Sequence, residues 1–397
     1  MELFMNIEKH NYLMIPGPSE IATESQIVMA QPTIVHYGDA WVRMNERVIS
    51  KLKRVFRTEN EIYIVPGSSS AVMEASVNAI VEPGTEVLVE LSGFFGHRFR
   101  EIVEGCGGTP VTVDFEFGKA VDPDVIRNML KEHPNVKAMT LVHNESSTGV
   151  TNPAREITRV CHDAGVILIC DTVSSMGGID IRTDEWDLDF CLTGNQKALQ
   201  APPGLGSVSV GMRAWGEIEK RKSPVHGWFL NLVNIRRYCN DWRDWHPQGP
   251  VTAPTAIYAA LEAALDLILE EGLETRFRRH AINAKAIRAG LRAAGIELFV
   301  SDEVASNTLT SFIVPDGLDE KKIMKILRDE FHTAIAGPPG PIGKNILRVG
   351  HMGVTSNRNA IIAVLSAIIF ACNRLGAKLS AGSANEAVLD VYASNSA

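Results

Sequence analysis

The sequence lacks three features that point quickly to a function: paired cysteines, a long apolar run and a surplus of positive charge. Its six cysteines (106, 161, 170, 191, 239 and 372) contain no C-x-x-C pair and no His/Cys spacing suited to zinc, which excludes the common metal ribbons and dithiol redox motifs. Most sit in apolar runs such as ILIC and DFCL, where cysteine behaves as a small hydrophobe, so reduced thiols are expected. The longest apolar stretch, AIIAVLSAIIFA at 360–371, is too short to span a bilayer and reads as a buried helix. The opening MELFMNIEKHNYLMIPG has no basic start followed by an apolar block and a cleavage site. A cytoplasmic protein with no membrane partner is therefore expected. A net charge of −8 argues against a general nucleic-acid binder, because neutralising phosphates needs a basic face. Neither GxGxxG nor GxxxxGK[ST] occurs, which removes the main support for dinucleotide and P-loop sites.

What is present is an ordinary globular composition, 45% hydrophobic and 22% charged over 397 residues, with a regular rhythm. Strands are predicted at 61–65, 85–91, 109–115, 136–143, 166–171, 188–194 and 206–211. Between them SSAVMEASVNAIV, PDVIRNMLKEH and PAREITRVCHDA carry apolar residues at helical spacing. That alternation predicts an α/β fold built on a mainly parallel, doubly covered, seven-stranded sheet. A helix-rich stretch follows at 254–294. Then come IELFV, TLTSFIV, a helix near 319–331, TAIAG, ILRVG and a helix over 357–375, read as a smaller C-terminal α/β unit. The expected division is an arm at 1–19, a large unit at 20–275 and a small one at 276–397.

Three short segments carry chemistry. Taken alone, Lys197 in GNQKALQAPPGLG reads as a solvated loop lysine. Asp171, however, ends the apolar strand VILICD, and Lys197 stands just past the next strand. If those strands are parallel neighbours, both side chains emerge at the carboxyl edge of the sheet, where open α/β sheets bind ligands. A carboxylate after five apolar residues is costly to desolvate without a cation, although Asp171 also suits a cap for the turn DTVSS. In PGSSSAVMEA, Ser68, Ser69 and Ser70 precede an amphipathic helix, where backbone N–H groups and hydroxyls form a phosphate cradle. An N-cap explains one of these serines, not three. A lysine nucleophile, a phosphate cradle and an aspartate suited to a pyridinium nitrogen together suggest pyridoxal 5'-phosphate held as a Schiff base.

The chain resembles the class V (fold type I) pyridoxal-phosphate aminotransferases, specifically the alanine/serine-glyoxylate aminotransferase group. The resemblance rests on MIPGPS, PGSSSAVMEA, SGFFGHR, HNESSTGVTNP, DTVSSMGG, GNQKALQAPPGL and LRVGHMG, in family order over nearly the whole chain. It implies Lys197 as the Schiff-base lysine and Asp171 as partner of the pyridine nitrogen. Phe95 falls where the family stacks an aromatic on the cofactor ring; a core phenylalanine and a swap with Phe94 remain open. Ser68, Ser69, Ser70 and Gln196 match phosphate-loop positions. Ser146 matches a hydroxyl beside the ring, with a plain turn serine as the alternative. Thr252 matches a threonine that reaches the neighbouring subunit's phosphate, which implies a homodimer, but the family's accompanying tyrosine is not evident in WHPQGPV. Arg348 matches the arginine that grips a substrate carboxylate in a two-pronged pair; a structural salt bridge is its alternative. Gly17, in the PGP turn, matches the substrate side.

The activity implied is amino transfer between a small amino acid such as alanine or serine and a 2-oxo acid, glyoxylate or pyruvate. Two relatives of the same fold compete, pyridoxamine-pyruvate and ureidoglycine-glyoxylate aminotransferases. The pyridoxamine group carries glutamate in place of the phosphate-loop serine and a second arginine ahead of the GK before LRVG. This chain has Ser68 and PPGPIGK instead. A cysteine desulfurase needs a mobile nucleophilic thiolate, whereas Cys372 lies in an apolar helix. A non-enzymatic binder on this fold would be expected to lack Lys197 or Asp171. The segment 223–250, which contains SPVHGWFLNLVNIRRYCNDWRDWHPQG, is the expected specificity segment, and sequence does not rank the donors.

Overall fold

The computed structural model describes residues 12–340 and 345–395. The GK pair at 343–344 lies outside the described residues, as does most of the arm. Seven strands form one sheet: β1 (Glu61–Pro66), β2 (Glu86–Leu91), β3 (Thr109–Asp114), β4 (Ala138–Val142), β5 (Ile167–Asp171), β6 (Phe190–Gly194) and β7 (Leu205–Val210). Their spatial order is β1-β7-β6-β5-β4-β2-β3. The pairs from β6 through β3 are parallel, whereas β7 runs antiparallel to both β1 and β6. The expected mainly parallel sheet is therefore present.

Side-chain alternation explains why the strand sequences read as continuous apolar runs. In β5, Leu168 and Cys170 join one buried cluster while Ile167 and Ile169 join another; in β6, Cys191 faces the first and Phe190 and Leu192 the second. A sheet covered on both faces needs apolar residues at every position. The first face is covered by helices Asp39–Phe56 and Thr255–Glu271, the second by Ser69–Ile80 and Phe94–Gly105.

The predicted helix-rich stretch at 254–294 is two helices, Thr255–Glu271 and Leu273–Ala294, broken at Gly272, whose φ of +81° a helix cannot continue. A third buried cluster links Met14 with residues of helices Leu273–Ala294, Glu320–Phe331, Arg358–Arg374 and Ala381–Ser394 and of the antiparallel strands Leu309–Ile313 and Ile346–Gly350. Two expectations are corrected here. IELFV forms only an isolated bridge, Leu298 to Phe312, and TAIAG shrinks to a two-residue strand, Thr333–Ala334, paired in parallel with Tyr12–Leu13. The C-terminal segment forms helix Ala381–Ser394. Among the described residues, no helix is long and apolar enough to cross a membrane. All six cysteines are free, and burial pushes the Cys372 thiol up to about 11, which makes it a poor nucleophile.

Candidate active site

β5 and β6 are parallel neighbours, so Asp171 and the loop that carries Lys197 leave the sheet at the same edge. Both residues wall a cavity of about 250 Å³. Lys197 sits between Gly194, the last residue of β6, and the Ala-Pro-Pro-Gly segment that turns the chain back into the antiparallel β7. Both side chains are buried. Burial raises the Asp171 carboxyl to about 7, against the pull of a hydrogen bond from Val173 N and the Lys197 charge. The Val173 N–H reaches Asp171 Oδ1 at 2.7 Å, so the turn-cap reading also holds, for one of the two oxygens. Burial, with help from the Arg348 charge, lowers the Lys197 ammonium to about 8. Its Nζ donates to the Pro16 carbonyl, and a β-carbon on Gly17 would come within 2.5 Å of Lys197 Cδ and Cε.

The three serines stand at the start of helix Ser69–Ile80 and on the same cavity wall. Ser68 occupies the N-cap position but makes no side-chain cap hydrogen bond, so its hydroxyl is not consumed by the helix. Ser69 Oγ is 2.7 Å from Gln196 Nε2, and Gln196 Oε1 is buried without a partner. Turned over, the amide accepts from Ser69 and places its NH2 where the unpartnered Oε1 now stands. Gly194 lets the two approach, because a β-carbon there would overlap Ser69 Oγ and lie 2.8 Å from Gln196 Oε1.

Phe95 lines the cavity; Phe94 packs edge-on against it at 5.4 Å and faces Gly340 instead. The start of their helix is fixed by HNESST: Glu145 Oε2 accepts from Phe95 N at 3.0 Å, Ser147 Oγ from Phe94 N at 3.0 Å, and Glu145 Oε1 from Ser147 N at 2.8 Å. Gly93 is required by this contact, since a β-carbon would lie 2.6 Å from Ser147 Oγ and overlap the Glu145 side chain.

Arg348, in strand Ile346–Gly350, is buried and makes no carboxylate pair among the described residues. Its Nη1 and Nη2 donate to the carbonyls of Ser146 and Gly337, and its Nε has no partner. Burial lowers its guanidinium to about 10. Among the described residues, the structural-salt-bridge alternative is thus not realised. Ser146 is buried and meets Arg348 through its backbone, while Asn144, Val173 and Ser174 line the cavity beside Asp171. Thr252 is exposed and is not on the cavity wall of this chain.

Sequence reasoning missed several residues. Glu145 lay within a quoted motif, but only tertiary contact reveals its acceptor role. Arg98, also on the cavity wall, had a signal in its place one turn after Phe95. Buried Arg276 reaches from helix Leu273–Ala294 to the carbonyls of Gly177 and Ala198, both at 2.7 Å, and so ties together the loops that follow β5 and β6. Nothing in ETRFRRHA separates it from its neighbouring arginines.

This frame of a mainly parallel sheet with a buried lysine and aspartate at its carboxyl edge matches the Aminotransferase class-V family over residues 28–345. An uncharacterised aminotransferase of Methanocaldococcus jannaschii is 39% identical over 92% of this chain and 93% of its own length. The crystal structure of ureidoglycine-glyoxylate aminotransferase from Bacillus subtilis superposes with a TM-score of 0.90 at 31% identity, covering 96% of this chain and 97% of that one. Pyridoxamine-pyruvate aminotransferase from Mesorhizobium loti superposes with a TM-score of 0.91 at 30% identity, covering 98% of both chains. The fold is that of the fold type I aminotransferases. The chain belongs to the class V aminotransferases, a pyridoxal-phosphate-dependent family. The residues present fit that cofactor: an unused Ser68 hydroxyl, an unsatisfied Gln196 amide, and a buried Lys197 and Asp171 on one wall.

Proposed function

We propose that the protein exchanges the amino group of a small amino acid with glyoxylate or pyruvate, using pyridoxal 5'-phosphate held at the Lys197 cavity. The observation that carries this reading is the meeting of Lys197 and Asp171 on one buried wall with the serine loop. Bound pyridoxal phosphate supplies an electron-accepting ring that takes up the electron pair left when a substrate Cα–H bond breaks. Lys197 Nζ anchors the cofactor and, once released, carries the proton away from the substrate Cα. An amine near 8 has enough free base at neutral pH to do so. Asp171 holds the proton of the pyridine nitrogen, a cation that offsets the cost of keeping its carboxylate ionised in a dry pocket. Phe95 offers a flat face to the ring, and Ser146 lies on the segment that meets Arg348. Ser68, Ser69, Ser70 and Gln196 take the phosphate, joined by Thr252 from a second copy in a homodimer. Arg348 takes the substrate carboxylate: two carbonyl partners are weaker than a two-pronged carboxylate pair, so an incoming carboxylate can replace them. Gly17 leaves room for the lysine. Donor and acceptor acids both carry that carboxylate, so one pocket serves both half-reactions in turn.

Borohydride reduction followed by peptide mapping tests the anchor. The cofactor mass is expected on the peptide containing Lys197 and on no other; attachment elsewhere contradicts the reading. Similarity to the Mesorhizobium enzyme supports a second reading, transfer from free pyridoxamine to pyruvate. Turnover of pyridoxamine without added pyridoxal phosphate would favour it.

A further inference from the structure

Besides Asp171 and Lys197, the cavity has one more charged residue on its wall among the described residues, Arg98. It projects from helix Phe94–Gly105 with its guanidinium carbon 4.8 Å from the ring centroid of Phe95 and 5.0 Å from that of Phe94. Both rings lie within cation–π reach of the guanidinium, an attraction that uses none of its N–H donors and so leaves them free to donate. One of them is turned to the serine loop, where Nη1 lies 3.4 Å from Ser70 Oγ, a weak and neutral contact. Arg98 forms no ion pair among the described residues, although its charge is felt at both Asp171 and Lys197.

The charge at the loop is unbalanced without it. A phosphate monoester carries about −1.5 to −2 near neutral pH. A helix N-terminus offers roughly +0.5, and the serine hydroxyls and Gln196 amide offer donors without charge. Lys197 is occupied with the Pro16 carbonyl at the Gly17 turn.

We propose that Arg98 is the charge partner of the cofactor's phosphate, carried on the same helix that presents Phe95. The proposal rests on the serine loop being a phosphate cradle. It makes ring and phosphate recognition a single unit: Phe95 for the flat face and Arg98 for the dianion, with Glu145 fixing the helix start that orients both.

The experiment titrates apoprotein with pyridoxal 5'-phosphate and with unphosphorylated pyridoxal, following tryptophan fluorescence, in the wild type and in Arg98→Gln and Arg98→Lys. The wild type is expected to prefer the phosphorylated ligand strongly; equal affinity would overturn the cradle reading and this proposal with it. Arg98→Gln is expected to weaken pyridoxal phosphate about 10- to 100-fold while leaving pyridoxal within a small factor. Arg98→Lys, which keeps the charge, is expected to recover most of the loss. Inorganic phosphate should likewise raise the Tm of wild-type apoprotein but not that of Arg98→Gln. An equal loss for both ligands in a wild type that does discriminate would reduce Arg98 to packing against Phe95, and no loss for either would remove it from the site.

Discussion

Glu145 accepts the backbone N–H of Phe95 at 3.0 Å with one carboxylate oxygen and that of Ser147 at 2.8 Å with the other. A single buried side chain thereby fixes both the aromatic wall of the cavity and the turn whose carbonyl meets Arg348. Glu145→Gln turns one acceptor into a donor facing an N–H. Stability is expected to fall by about 1–3 kcal/mol, the cost of a buried unsatisfied group, read as a lower urea midpoint. An unchanged midpoint would mean that the turn does not depend on this carboxylate.

Gly17 has φ +106° and leaves no space for a β-carbon beside Lys197. Gly17→Ala is expected to retain the fold, because the added β-carbon would meet the far end of the Lys197 side chain and not backbone, but to lower kcat by tenfold or more through displacement of the amine. Circular dichroism with steady-state kinetics checks both halves. Full activity would show that the turn can move away.

The two buried charges give opposite slopes of stability against pH in the apoprotein. Asp171 rises from 3.8 to about 7 on folding, so the folded chain binds more protons between those values and stability falls across that window as pH rises. Lys197 drops from 10.5 to about 8, so the unfolded chain binds more protons between about 8 and 10.5 and stability recovers there. Denaturation midpoints over pH 4–10.5 should lose the first slope in Asp171→Asn and the second in Lys197→Met. Identical profiles in all three proteins would contradict this electrostatic account. Uptake of pyridoxal phosphate should also accelerate through about pH 8, with the midpoint moved upward in Arg348→Gln, because the Arg348 charge helps to depress the lysine.

Arg348 has two carbonyl partners and an unpartnered Nε. Arg348→Lys is expected to raise KM for both amino and 2-oxo acids by about 10- to 100-fold, since a lysine cannot make the two-pronged pair. An effect on only one of the two substrates would separate their carboxylate sites.

The sheet was legible because a doubly covered parallel strand must be apolar throughout. All seven predicted segments are strands, within two residues at each end. The edge location of Asp171 and Lys197 followed from their strand positions and parallel pairing. Short pairings were not legible: Thr333–Ala334 exists only because Tyr12–Leu13 lies beside it. Helix Ala381–Ser394 has alanine and serine where a strong apolar stripe would have marked it, and it packs through Ala384 and Val388 onto the Gly290 face of helix Leu273–Ala294. Glu145, Arg98 and Arg276 act across large sequence separations, between residues 50, 28 and 78 positions apart, which no local pattern reports.

The most direct test of amino transfer at Lys197 is the visible absorption spectrum of the purified protein, recorded before and after addition of single small amino acids and then of glyoxylate or pyruvate. The cofactor band should be present in the wild type, be lost with one donor and return with one 2-oxo acid, while Lys197→Ala shows no such cycle. A wild-type band that no amino acid changes, or a cycle that survives in Lys197→Ala, would contradict the account.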